Sequence, residues 1–122
     1  MKLTFDDTPV CISPHFGSSL DTRDMDAIVR SYVAMIEPAA VQVHGLGAGF
    51  APAIHEVSRV KSLVGSLPVL AASGTDADTA PEFLEVCEGT IVGSSLKYGG
   101  QIWNPIDPQR AKDYMKSVLE SR

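Results

Sequence analysis

Four short apolar runs, each followed by a helix-like stretch, predict an α/β fold: one domain of four consecutive βα units around a parallel sheet. Three observations carry this. Strand-like and helix-like periodicity alternate along the chain. The strand candidates are nearly continuous apolar runs, as in a sheet covered on both faces. The last two strand candidates end in small-residue turns, Ser73-Gly74-Thr75 and Gly93-Ser94-Ser95. Such turns sit at the carboxyl ends of parallel strands, where open backbone N–H groups bind phosphate. With right-handed crossovers, the order (βα)4 is half of a (β/α)8 barrel, and 122 residues is about half the roughly 250 of a complete one.

The first strand is Thr8 to Ile12, ended by Ser13-Pro14-His15-Phe16-Gly17; Met1 to Asp7 before it is expected to be poorly ordered. Met25, Ile28, Val29, Tyr32, Val33 and Ile36 recur at three- and four-residue steps and make one apolar helix stripe, which Pro38 stops. Ala40 to His44 is the second strand. After Gly45-Leu46-Gly47-Ala48-Gly49 a helix begins with Pro52 at its first position, buries Ile54, Val57, Val60, Leu63 and Val64, and ends at Gly65. Pro68 to Ala72 is the third strand, and the helix after it runs from about Thr79 to Cys87, burying Phe83 and Leu84. Thr90 to Val92 is the fourth. A long turn then leads to a final helix from about Pro108, with Asp107 as N-cap and Ala111, Tyr114, Met115, Val118 and Leu119 on one side.

A net charge of −5 and a pI near 5.0 exclude nucleic acid or an anionic membrane as the main partner, because phosphate backbones need clustered Lys and Arg. No apolar run approaches the roughly 20 residues of a membrane span. Cys11 and Cys87 lack a short-spaced partner and a secretory signal, and read as buried free thiols. The expectation is a soluble intracellular protein, in the cytoplasm.

The residues able to do chemistry lie at the ends of the strands. Ser73, Gly74, Thr75, Gly93, Ser94 and Ser95 are the expected phosphate cradle, since glycine admits close backbone approach and hydroxyls add donors; two ordinary βα turns are the competing reading. Lys97 is placed to add its ammonium to the same anion. His15 and His44, at or just past the ends of consecutive strands, form a candidate acid and base or two metal ligands, against a structural histidine at each place. A third ligand at convincing spacing is missing, so no metal and no cofactor are expected. Asp76 and Asp78 read as caps of the Thr79 helix, and Asp21, Asp24 and Asp26 as the acidic start of the first helix. Trp103 is a loop anchor or an aromatic wall for a ligand.

Several stretches together resemble the carboxyl-terminal half of the BtpA/SgcQ family. They are Gln42-Val43-His44-Gly45 with Gly49, Val60-Lys61, Pro68 to Thr75, Gly89 to Lys97, and Asn104-Pro105-Ile106-Asp107-Pro108. The resemblance covers roughly residues 8 to 119. It implies a barrel of the ribulose-phosphate-binding type, in which four further βα units would precede Val10. Pro14 before His15 and Gly45-Leu46-Gly47 in place of a threonine-glycine turn depart from the family's pattern. The implied function is a BtpA-like protein that binds a phosphorylated small molecule, with a non-enzymatic photosystem I assembly factor, or a truncated barrel without activity of its own, as alternatives. An open four-stranded half-barrel leaves two unpaired strand edges, so the expected partners are another copy or another half-barrel.

Overall fold

The computed structural model describes residues 11–12, 24–47 and 49–122. Expectations for Met1 to Val10, for His15 and for Asp21 lie outside these residues. Strands β1 (Cys11–Ile12), β2 (Ala40–His44), β3 (Val69–Ala72) and β4 (Gly89–Ile91) alternate with helices α1 (Met25–Ile36), α2 (Ile54–Val64), α3 (Ala80–Leu84) and α4 (Pro108–Glu120). The pairings between these four strands are parallel and the sheet order is β1-β2-β3-β4, which is the half α/β barrel that the sequence pattern implies.

Strand alternation divides the sheet into two faces. Val41, Val43, Val69 and Ala71 point to the helices and pack with Val29, Val57, Val60, Phe83 and Cys87 in one buried core. The opposite face, which would line a barrel, carries Gln42 level with Leu70 and Gly89, and His44 level with Ala72 and Ile91. β4 joins the helical layer through a hydrogen bond between the Thr90 and Tyr114 hydroxyls, and α1 is tied to α2 by the Asp26–Arg59 ion pair at 2.8 Å.

The amino ends of the strands are held by one carboxylate. Glu88 accepts the Val69 N–H at 2.8 Å and pairs with Lys61 at 2.5 Å. Burial pushes its carboxyl up, but the Lys61 ammonium and the Val69 N–H outweigh burial and hold it below the ordinary value.

Several boundaries differ from the sequence expectation. α2 begins at Ile54, with Ala53 as an extended N-cap and the Glu56 carboxylate reaching back to the Ala53 N–H at 3.2 Å, so Pro52 lies ahead of the helix. α3 is one turn long and stops at Leu84, because the chain must turn at once into β4; Cys87 is a buried free thiol in that turn, its Sγ donating to the Gly89 carbonyl at 3.2 Å. β4 starts one residue early, at Gly89. Met115 and Leu119, on the same side of α4 as Tyr114 in the sequence pattern, are 52% and 68% exposed, and only Tyr114 on that helix is buried. Among the described residues, no helix is long and apolar enough to cross a membrane.

Candidate functional site

The carboxyl ends of β3 and β4 are locked to each other. Thr75, 1% exposed, donates from its hydroxyl to the Ile91 carbonyl at 3.4 Å, and Ser95 Oγ donates to the Thr75 carbonyl at 2.7 Å. The two turns singled out in the sequence therefore form one unit, in which the Thr75 side chain is buried and bonded within the fold.

Gly74 holds this unit against the loop after β2. Its φ is +64°, and a Cβ there would lie 2.2 Å from the Ala51 nitrogen and 2.5 Å from the Phe50 carbonyl carbon. Gly45 meets the same loop from the other side, with a Cβ position 2.1 Å from the Phe50 oxygen. The close approach that Gly74 allows is thus made by the protein's own backbone. Gly93 differs: nothing lies within 4 Å of its Cβ position, so the β4 turn is the open half of the pair.

A cavity of about 440 Å³ opens beside the unit, walled by Gly74, Asp76, Ser94, Ser95, Arg110 and Tyr114 among others. Ser94–Leu96 form a single 3₁₀ turn; the first N–H groups of such a turn have no carbonyl of their own turn to bond. Arg110 reaches in from the first turn of α4, donating to the Ser95 carbonyl at 3.1 Å and standing 3.8 Å from Asp107. The lining also carries three carboxylates, Asp76 and Asp78 on the β3 turn and Asp113 one turn along α4 from Arg110. Asp76 is the turn's own cap: its Oδ1 accepts from the Asp78 N–H, the Thr79 N–H and the Thr79 hydroxyl. Burial raises its pKa, but these hydrogen bonds, those from Thr79 first, outweigh burial and hold it below the ordinary value. Asp78 accepts no such bond and is exposed, so the capping expected of both carboxylates falls to Asp76.

Lys97 turns away from this cavity. Its ammonium donates to the Ile102 carbonyl within its own loop, which Asn104 Nδ2 also closes, onto the Tyr98 carbonyl at 2.8 Å. Trp103 is 92% exposed in that loop and so does not anchor it. His44 stands at the end of β2 on the barrel-lining face, with Nδ1 3.4 Å from Ser73 Oγ. Ser73 itself has φ +70°, in the left-handed region that non-glycine residues rarely enter.

Sequence reasoning missed Arg110. A signal was available: a cation in the first turn of a helix opposes the helix dipole, which favours negative charge there. An arginine placed against that preference marks a position held for another reason.

The model of the BtpA family matches residues 7–120. The chain belongs to the BtpA family. It is 31% identical over 111 residues to the putative sgc region protein SgcQ of Escherichia coli, covering 91% of this chain and 41% of that one. It is 30% identical over 101 residues to the photosystem I biogenesis protein BtpA of Synechocystis, covering 83% and 35%. This BtpA-family chain thus spans about two-fifths of the length of these curated relatives. A solved structure described as "Native KDPGal structure" superposes with a TM-score of 0.66 at 15% identity, over 93% of this chain and 49% of that one. That likeness is one of fold and supports a half barrel.

Proposed function

We propose that this BtpA-family chain binds a phosphorylated polyhydroxy compound, such as a sugar phosphate, at the carboxyl ends of β3 and β4. The observation that carries the reading is the mixed charge of the cavity lining. Its one cation among the described residues, Arg110 beside the Ser94-Ser95 turn, suits an anion, and its carboxylates Asp76, Asp78 and Asp113 suit hydroxyl groups that donate to them. A dianion in the middle of the cavity would be repelled by the three carboxylates, so the phosphate belongs at the Gly93-Ser94-Ser95 end. Gly74 lines the cavity, and His44, at the end of β2 with Nδ1 3.4 Å from Ser73 Oγ, is the candidate for proton transfer.

The test is thermal unfolding of the 122-residue chain with millimolar inorganic phosphate, ribose 5-phosphate or ribose. The reading expects ribose 5-phosphate to raise the melting temperature more than phosphate and ribose to leave it unchanged, and Arg110→Ala to erase the shift. No shift with any phosphate would reject it. A second reading, scaffolding without turnover, is favoured by the Synechocystis relative's role as a biogenesis protein; it expects no stabilisation by any phosphorylated metabolite.

A further inference from the structure

Ser73 sits where the backbone disfavours it. Among the described residues only Glu37 and Ser73 have positive φ without being glycine, at +50° and +70°. Glu37 is the C-cap of α1, where left-handed backbone is routine. Ser73 instead follows the last residue of a strand, β3. Glycine takes this conformation freely and a residue with a Cβ is strained in it, so a serine held there marks a use for its side chain.

Its neighbour supplies that use. His44 ends the adjacent strand β2, level in register with Ala72, and its Nδ1 lies 3.4 Å from Ser73 Oγ. Both residues are half-buried, so solvent reaches them in part. A hydroxyl and an imidazole at this range have the arrangement of a nucleophile and its base, a contact that is often longer before substrate binds. The turn shares two features with a nucleophile elbow: a strained serine at the carboxyl end of a parallel strand, and small residues around it, Ala71 and Ala72 before and Gly74 and Thr75 after. In such an elbow the N–H of the next residue serves the oxyanion. That residue is Gly74, which also lines the cavity, so room for a substrate begins one residue from the hydroxyl.

We infer that Ser73 and His44 are the nucleophile and the general base of an acyl-transfer site that hydrolyses a carboxylic ester. Ser73 Oγ bonds to the ester's carbonyl carbon while its proton passes to His44 Nδ1, which accepts it in the tautomer protonated at Nε2. The tetrahedral adduct expels the alcohol, which leaves with that proton, and Ser73 is left acylated. Water then attacks the acyl carbon, giving a proton to His44, and the carboxylic acid departs as Ser73 Oγ takes the proton back. One ester and one water become one acid and one alcohol. A neutral carbonyl suits the place better than a phosphoester, because Asp76, Asp78 and Asp113 line the adjoining cavity and repel an anion. The inference stands on these two side chains and holds whether or not the cavity takes a phosphate.

The test is covalent labelling of the purified chain with a fluorophosphonate, which phosphonylates activated serines, read by intact mass and peptide mapping. The wild type should gain one phosphonyl group, mapped to Ser73, and the labelled chain should lose its hydrolysis of p-nitrophenyl acetate. Ser73→Gly should take no label and still melt cooperatively, since glycine adopts φ +70° without strain. His44→Ala should label at least about 100-fold more slowly, and added imidazole should restore part of the rate, which a merely structural histidine would not allow. An unlabelled wild type, a label mapped to another residue, labelling that persists in Ser73→Gly, or His44→Ala labelling at the wild-type rate or unmoved by imidazole would each overturn the inference.

Discussion

Replacing Gly74 by alanine probes how the β3 turn is built. At φ +64° an alanine costs about 1–2 kcal/mol in the backbone alone. Its Cβ would also sit 2.2 Å from the Ala51 nitrogen and 2.5 Å from the Phe50 carbonyl carbon, and both are backbone atoms that cannot rotate aside. The loop after β2 must move, which costs about a further 1–3 kcal/mol. The total is about 2–5 kcal/mol, and for a chain of this size that lowers the melting temperature by on the order of 10 °C. Gly93→Ala is the control for the close approach: nothing lies within 4 Å of its Cβ position, so it meets no clash and should cost clearly less than Gly74→Ala. Thermal unfolding followed by far-UV circular dichroism reads both variants. If Gly74→Ala melts with the wild type, or if Gly93→Ala loses as much, the packing of Gly74 against Phe50 and Ala51 is not what holds the turn.

Two further substitutions test the ends of the sheet. Because the Glu88 carboxyl is held below its ordinary value, its contribution is present above the unfolded pKa and is lost as pH falls through the folded one. Glu88→Gln should therefore destabilise at neutral pH by about 0.2–1 kcal/mol, modest because the side chain is 44% exposed and screened, and the gap to wild type should close on titration to acid; a gap independent of pH would refute the ion pair's role. Tyr114→Phe removes one side of the Thr90–Tyr114 hydrogen bond and should cost about 1–2 kcal/mol in urea denaturation. Adding Thr90→Val should cost less than the sum of the two single changes, and strict additivity would mean the hydroxyls are not coupled.

The strand and helix order was legible because each βα unit carries its own local signal. Met25 to Ile36 shows the 3.6-residue stripe, and Asp107-Pro108 marks a helix start that the structure places one residue apart as N-cap and first helical residue. The errors fall where neighbours outvote local preference. Pro52 is a good first helical residue, yet the loop lying over Gly45 and Gly74 keeps the chain extended until Ala53. Met115 and Leu119 share the apolar stripe of α4, but a stripe wider than one neighbour can cover leaves part of itself on an open flank.

The candidate site divides in the same way. Residue type and order alone determined which turns carry glycine and hydroxyls, since permitted φ and backbone access belong to the residue itself. Which of those groups remain open to a ligand was decided by tertiary contacts: Thr75 bonds Ile91, Lys97 folds onto its own loop, Gly74 takes in the Phe50–Ala51 backbone, and Arg110 arrives from a helix that begins fifteen residues after Gly93. A hydrogen bond or a close approach joins groups distant in sequence, so its partner is chosen by the packed fold and is absent from any local pattern.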